Sequence, residues 1–308
     1  MALIKEIVSV SLGSSSRDHE VVVSVLGQEI SMKRVGMDGD LTAMRDKLIE
    51  CDENRNIDAI GIGGCDIFLN AAGRRYYFRE IKKMVSCIAN TPVVDGSGLK
   101  GAVEADTVRF MQEELGISFQ GKNILVTSAI DRWGIAMACA DADTRGVVSY
   151  GDLLYALDIP VMIHSKKVLT TATRILAPLA AQLPFKWLYP SESDSSTEIK
   201  RGAKTDKLYY DADIIVGDYK YVVQYMPDDM KETIVVTNTT TESDLELLHS
   251  CGVKTVVTTT PRLDGRSFGT NVMEAMLVAL AESDKALTTE QYLAYLKQAN
   301  FKPSVSTR

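Results

Sequence analysis

The sequence predicts an α/β protein with two domains: an amino-terminal α/β substrate domain and a Rossmann-like domain built on a doubly wound parallel sheet. Three observations predict this class. The chain has 308 residues, 45% of them hydrophobic, which is enough for two cores. Short apolar runs alternate with segments of helical spacing. One buried run, residues 124–126, leads through small residues into a helix, as in nucleotide-binding folds.

The domain limits follow from this alternation. The first domain is expected at residues 1–98 and the Rossmann-like domain at 120–270. Apolar residues at broadly helical spacing over 99–115 predict a long helix that joins the two. The helices of 271–308 are expected to return and pack on the first domain.

The first domain is expected to begin with strands that form a sheet edge, because its apolar residues alternate with polar ones. Asp40 is a suitable amino-terminal cap for the helix that follows. In chain order, the predicted elements are a strand at 6–12, a strand or hairpin at 20–35, a helix at 41–51, a strand at 57–63, a helix at 79–89 and a strand at 91–95.

The second domain is expected to form a parallel sheet with right-handed crossovers, because its strands and helices alternate. The strands are predicted at 123–127, 146–150, 213–216, 233–237 and 254–258. The helices of this domain are predicted at 133–142, 166–182 and 242–250, and the two terminal helices that return to the first domain are predicted at 271–281 and 289–298.

Composition limits the classes of partner. The net charge of −7 argues against binding to nucleic acid or to an anionic membrane, either of which needs a basic face. No stretch reads as a signal peptide or a membrane span. The five cysteines form no C-x-x-C pair, and no histidine stands at metal-ligand spacing. A cytoplasmic protein without a bound metal is therefore expected.

The turn after Val126 is built like a dinucleotide-binding turn with fewer glycines. Residues 128–134 stand where G-x-G-x-x-G would stand, and the amides of the next helix would face a pyrophosphate. Asp152, after the second strand, would accept hydrogen bonds from ribose hydroxyls, which favours NAD over NADP. Arg132 would add positive charge. Alternatively, Asp131 and Arg132 pair with each other or with neighbours, and the loop binds no dinucleotide.

The residues predicted to bind this cofactor share positions at the carboxyl ends of the second-domain strands. They are Thr127, Ser128, Ala129, Asp131, Arg132, Trp133, Gly134, Asp152, Gly217, Asp218 and Asn238. The last three end strands near the expected nicotinamide, and as an alternative they are simple turn residues.

Two residues are candidates for catalysis. Asp95 follows a short strand and precedes Gly96, so its carboxylate is well placed at a cleft to handle a proton. The alternative is that Asp95 caps the joining helix or fixes a turn. Lys100 is close enough in sequence to share the cleft, or else it lies solvated on the helix surface.

Two further segments could line a ligand site. Residues 258–274 combine a strand end, a proline-led loop and two arginines, Arg262 and Arg266, which could clamp a carboxylate or phosphate. Ser267 could join them or cap the next helix. The aromatic stretch 183–190 is either a core lid or a pocket wall, and residues 191–197 after it form a polar loop. The aromatic side chains are Phe185, Trp187 and Tyr189.

A set of short motifs resembles a known group of proteins. The runs D-G-S-G-L-K, D-R-x-G, L-P-F-x-W-L-Y-P, T-N-T and G-R-S-F-G-T-N resemble bacterial proteins labelled quinate/shikimate 5-dehydrogenase-like, with the two-domain layout of shikimate dehydrogenases. The resemblance implies that Asp95 is the catalytic aspartate. It also implies that Asn271, or nearby Glu274, binds substrate. The catalytic-lysine motif of that family, N-V-T-x-P-x-K, has no counterpart before Asp95.

The expected function is therefore an NAD(P)-dependent oxidoreductase that acts on a small polar hydroxy or keto acid, similar to quinate or shikimate, in the interdomain cleft. The substrate would be bound by Arg262, Arg266, Ser267, Asn271 and Glu274. The competing hypothesis is a non-redox protein of the same fold that binds a nucleotide or small acid as a sensor or carrier. A homodimer through a sheet edge near the start is a further expectation.

Overall fold

The structure is a computed structural model that describes residues 4–142, 146–185, 200, 202–263 and 266–308; of residues 263, 266 and 267 it describes the backbone alone. Trp187, Tyr189 and the predicted loop at 191–197 lie outside the described residues. So do the side chains of Arg266 and Ser267, on which part of the predicted substrate site depends.

The first half of the chain forms seven strands and three helices. In chain order they are β1 (Lys5–Ser11), β2 (His19–Val25), β3 (Gln28–Gly36), α1 (Leu41–Glu53), β4 (Ile57–Gly63), β5 (Phe68–Ala71), β6 (Arg74–Tyr77), α2 (Arg79–Val85), β7 (Val93–Val94) and α3 (Ser97–Glu113). Asp40 caps α1 as predicted, because its carboxylate accepts hydrogen bonds from the Thr42 and Ala43 N–H groups.

The second half alternates strands and helices. In chain order they are β8 (Asn123–Val126), α4 (Trp133–Ala142), β9 (Val147–Tyr150), α5 (Asp152–Leu157), α6 (Lys166–Ala180), α7 (Ala203–Asp211), β10 (Ile214–Val216), α8 (Tyr219–Gln224), β11 (Ile234–Thr237), α9 (Glu242–Ser250), β12 (Thr255–Thr258), β13 (Arg262–Leu263), β14 (Arg266–Ser267), α10 (Thr270–Leu280), α11 (Thr289–Gln298) and β15 (Ser304–Thr307).

The first sheet has five strands in the order β2-β3-β1-β4-β7. β1, β3, β4 and β7 are parallel, and β2 pairs antiparallel with β3 at the edge, so residues 20–35 form the predicted hairpin. One face is covered by α1 and α2 and the other by α3, α10 and α11. The predicted return of the carboxyl-terminal helices is found here, since α10 packs on β1 and β4 and α11 packs on α3.

The second sheet has six strands in the order β15-β12-β11-β10-β8-β9. Its five parallel strands lie in the order β9-β8-β10-β11-β12, so the first strand in the sequence, β8, lies between the second and the third. Helices cover both faces. The predicted two-domain α/β class is confirmed. One detail is wrong: β15 pairs antiparallel with β12, so residues 304–307 belong to this sheet and not to the first domain.

This topology fixes where a ligand would enter. In open α/β sheets, ligands bind beyond the carboxyl ends of the strands where the strand order reverses, which here is between β8 and β10. α3 lies next to this point. It packs on α10 of the first domain and on α4 of the second. No helix of the described residues has the length and apolar character that crossing a bilayer requires.

Candidate functional site

The loop between β8 and α4 supplies the centre of the site, as the turn pattern predicts. Arg132 lies in the first turn leading into α4, and only 7% of its side chain is exposed. Its Nη2 donates to Asp218 Oδ2 at 3.1 Å and its Nη1 donates to Glu104 Oε1 at 3.3 Å. Asp131 Oδ2 lies 3.5 Å from its Nε. The alternative in which Asp131 and Arg132 pair with neighbours is therefore the arrangement found.

Glu104 of α3 occupies the place expected for a phosphate. Its Oε2 accepts a hydrogen bond from the Ile135 N–H at 3.2 Å, at the amino-terminal end of α4. A Cβ on Gly134 would lie 2.8 Å from the same oxygen. Burial raises the pKa of Glu104, and Arg132 and Lys100 oppose that rise. The glycine that would let a pyrophosphate approach instead makes room for this carboxylate.

The Asp152 carboxylate also forms a hydrogen bond within the protein. Its Oδ1 accepts a hydrogen bond from the Ile130 N–H at 2.8 Å, and the side chain is buried behind the β8–α4 loop. Burial raises the pKa of Asp152 to about 6, although the loop amides oppose the rise. The predicted contact with ribose hydroxyls is not supported, because this carboxylate faces the loop itself.

The remaining predicted cofactor residues fill the crevice further. A Cβ on Gly217 would lie 1.8 Å from Thr127 Oγ1, so the Thr127 side chain packs directly on the Gly217 backbone and leaves no space between them. Asn238 donates from Nδ2 to Asp218 Oδ2 at 2.6 Å and accepts from the Tyr219 N–H at 3.3 Å, which is the turn role given as its alternative.

A cavity of about 10 Å³ lies at this end of the sheet. It is enclosed by Glu104, Arg132, Ile135, Gly217 and Asn238 among others. A volume of this size holds about one water molecule. A pyrophosphate therefore does not fit this cavity while Glu104 and Arg132 keep these positions.

Lys100 extends the ion-pair network toward the first domain. Its Nζ donates to Asp131 Oδ1 at 3.1 Å and lies 3.9 Å from Asp66 Oδ2. Burial raises the pKa of Asp66 to about 7, with Asp131 and Asp95 adding to the rise and Lys100 opposing it. The prediction that Lys100 shares the cleft agrees with this position. Together these groups form one chain of charges from the first domain to the second.

Asp66 and Glu104 were missed by the sequence analysis. A signal for Asp66 existed, because it follows the glycines at the end of β4 just as Asp95 follows β7. Glu104 stands four residues after Lys100, which places both on one side of α3. Nothing local indicates that Glu104 reaches Ile135, 31 residues away.

Asp95 holds two backbone segments together. Its Oδ2 accepts from the Ile67 N–H at 2.6 Å, and its Oδ1 accepts from the Ser97 N–H at 2.9 Å. Both oxygens are used and the residue is buried. Of the two alternatives to catalysis, the structure shows that Asp95 fixes a turn; the amino-terminal cap of α3 is Gly96, and no side chain caps this helix.

Replacing Asp95 with alanine is expected to lower the free energy of unfolding by about 1–3 kcal/mol, because two buried amides lose their acceptor. Asp95→Asn should lose less, since one oxygen remains. Chemical denaturation measures both. A stability unchanged in Asp95→Ala would contradict the structural role.

The predicted substrate residues of the carboxyl-terminal segment gather elsewhere. Asn271 donates from Nδ2 to Ser9 Oγ at 2.8 Å. Glu274 is buried beside the start of α3 and accepts a hydrogen bond from Tyr292 Oη. Arg262 pairs with Glu242 at 2.6 Å. Burial raises the pKa of Glu274 and Asp95 is close enough to add to the rise, whereas Asn271 and Arg262 bond to Ser9 and Glu242.

Comparison with known proteins identifies the family. The chain belongs to the family described as a domain of unknown function, DUF8754, whose model matches residues 98–307. Residues 6–95 match a second model of the same description, DUF8753. No curated protein matches the chain.

Solved structures match at low similarity. Glutamate dehydrogenase from Thermus thermophilus is 11% identical over 97% of this chain and 74% of its own, with a TM-score of 0.43. A periplasmic ribose ABC transporter protein from Conexibacter woesei is 10% identical over 96% and 95%, with a TM-score of 0.38. The NADP-complexed FolD of Trypanosoma brucei is 11% identical over 96% and 88%, with a TM-score of 0.34. Scores of this size carry no inference about activity.

Proposed function

We propose that this protein is a non-redox binding protein, a sensor or carrier, that takes a small molecule rich in hydroxyl or amine groups at the partly exposed carboxylates of Asp66, Asp131 and Asp218, outside the filled crevice. The observation that carries the proposal concerns the backbone amides that a dinucleotide would need at the β8–α4 junction. Side chains of the protein itself already bond to these amides. Asp152 and Glu104 accept from them, and Arg132 fills the space beyond. Without that cofactor site, hydride transfer has no carrier.

The charge of the crevice supports the class of ligand. The partly exposed groups at its rim are the carboxylates of Asp66, Asp131 and Asp218, with side chains 20%, 19% and 30% exposed. The two cations between them, Lys100 and Arg132, are already paired. Carboxylates accept hydrogen bonds from hydroxyl and ammonium groups, whereas an acidic ligand would meet like charge.

The second candidate is the NAD(P)-dependent dehydrogenase acting on a quinate-like or shikimate-like acid. One observation favours it: the Lys100 amino group lies between the Asp131 and Asp66 carboxylates, at 3.1 and 3.9 Å. Against the effect of burial, the neighbouring carboxylates raise the pKa of this lysine, so it stays protonated and could donate a hydrogen bond to a substrate hydroxyl. This candidate requires the β8–α4 loop to open and release Glu104 and Arg132.

Calorimetric titration separates the two candidates. We expect no saturable binding of NAD or NADP at millimolar concentration, and no reduction of either in the presence of quinate or shikimate. A panel of polyols and amino sugars, read by thermal shift, should contain compounds that raise the melting temperature. Saturable binding of either dinucleotide would overturn the proposal in favour of the dehydrogenase.

The pH dependence of binding provides a further check. Because the pKa of Asp66 is raised to about 7, an amine ligand should bind more tightly above pH 7, where this carboxylate is ionised. Asp66→Asn should remove the stabilisation by ligand. Asp211→Asn, at a surface ion pair on α7, is the matched control and should leave it unchanged. Binding that is equal in both variants would place the ligand elsewhere.

A further inference from the structure

One face of α6 carries an unusual amount of exposed apolar surface. Of the large hydrophobic side chains that are exposed in the described residues, those on or just after this helix are Val168, Ile175, Leu176, Leu179 and Leu183, at 43–66% exposure. Together they present on the order of 500 Å² of apolar surface, and patches of this size on soluble proteins are often functional.

This face is separate from the one that α6 buries. Leu169 and Thr173 are fully buried, and Ala177 nearly so. Leu169 packs against the second domain, and Ala177 packs against the first. The first domain is also tied to the helix by Arg174, whose Nε donates to the Ala72 carbonyl at 3.2 Å. The exposed apolar residues are therefore not needed to hold α6 on its own chain.

The spacing of the exposed face is that of a helix–helix seam. Val168, Ala172, Ile175 and Leu179 follow one another at intervals of four, three and four residues. This is the alternation of a coiled-coil seam, which keeps one apolar line facing a second helix at a shallow crossing angle. Ala172 near the middle permits close approach.

We propose that this seam pairs with the same seam of a second copy, with the two α6 helices antiparallel about a twofold axis. The midpoint of the seam lies between Ala172 and Ile175. Antiparallel pairing therefore sets Val168 against Leu179 of the partner subunit, and Ala172 against Ile175 of the partner subunit. A twofold contact needs one self-complementary patch, which an apolar seam provides.

The charges of α6 favour the antiparallel direction. The helix has no acidic residue, and Lys166 and Lys167 stand in its first turn. Antiparallel pairing brings these lysines to the carboxyl end of the partner helix, where exposed carbonyl groups favour positive charge. Parallel pairing would bring the lysines of both copies together.

The area also suits a second copy. The exposed residues of α6 alone present on the order of 500 Å² of apolar surface, which is smaller than the ~800 Å² per partner of a standard interface and fits a dimer of moderate affinity. This surface differs from the β2 edge at which the sequence analysis expected a dimer.

Sedimentation equilibrium and light scattering on the full chain test the pairing. We expect a mass of twice 33.8 kDa at micromolar concentration. Leu179→Glu and Val168→Lys should each weaken the dimer by roughly 100-fold or more, because each sets a charge against an apolar residue. The double variant Val168→Lys/Leu179→Glu should recover much of the dimer, since the two introduced charges of opposite sign then face each other across the seam in both copies.

The control is Glu246→Lys, an exposed position of α9, which covers the other face of the second sheet from α6, and this variant should remain dimeric. Circular dichroism of each variant establishes that the chain is folded. A monomeric wild-type chain, a dimer unaffected by Leu179→Glu, or a double variant that stays monomeric would overturn the proposal. So would a monomer that binds anionic lipid vesicles through this face.

Discussion

Replacing Arg132 with methionine is expected to lower the free energy of unfolding by roughly 3–5 kcal/mol. Arg132 is paired with the three carboxylates of Glu104, Asp218 and Asp131 at the β8–α4 loop, and its side chain is the more deeply buried of the two cations there. Methionine would keep most of the volume but leave buried Glu104 without its partner. A buried carboxylate that loses its cation costs far more than the ion pair itself contributes.

Urea denaturation measures this loss, and Arg109→Met is the matched control. Arg109 pairs with Asp106 on the surface of α3, and 64% of its side chain is exposed. Exposed ion pairs contribute little, so this control should lose less than about 1 kcal/mol. Equal losses in the two variants would contradict the account of a buried network. The second substitution Glu104→Gln, added to Arg132→Met, should restore part of the stability, since it removes the stranded charge.

The second large effect is a pH dependence centred on Glu274. Burial raises the pKa of this carboxyl to about 7, although its hydrogen bond from Tyr292 opposes the rise. The folded protein therefore keeps the proton between pH 4.5 and 7, where the unfolded chain releases it. Because the folded state binds more protons in this range, Glu274 lowers stability progressively as the pH rises.

Glu274→Gln removes this titration. Its stability relative to the wild type is expected to rise by roughly 3 kcal/mol between pH 4.5 and 7, and to be level outside that range. Glu246→Gln, at an exposed position of α9, is the control and should show no such trend. A stability difference for Glu274→Gln that stays constant over these pH values would contradict a raised pKa at this carboxyl.

The fold was largely predictable because its signals are local. The β8–α4 junction, the Asp40 cap and the capping box of Thr288 with Gln291 each depend on neighbouring residues. Elements with weak local signals were missed. The β5–β6 hairpin turns through Ala72 and Gly73, both at positive φ, where a more typical turn would have Asn-Gly.

The site was less predictable because its decisive contacts are remote in sequence. The sequence of the turn at Arg132 is equally compatible with a site that binds phosphate and with a site in which Arg132 forms ion pairs. The difference depends on Glu104 and Asp218, which are 28 and 86 residues away from it. A side chain that bonds to the amides of a helix far away in the sequence produces no periodicity or spacing that sequence analysis could detect. The residue types of the loop were therefore correctly identified, but their partners were not.

The most direct test of the filled crevice is a crystal structure of the protein grown with millimolar NAD. We expect Arg132 between Glu104 and Asp218, the Ile135 amide donating to Glu104, and no density for a dinucleotide beyond β8. Density for a pyrophosphate at the Ile135 amide, with Glu104 and Arg132 displaced, would contradict the central claim.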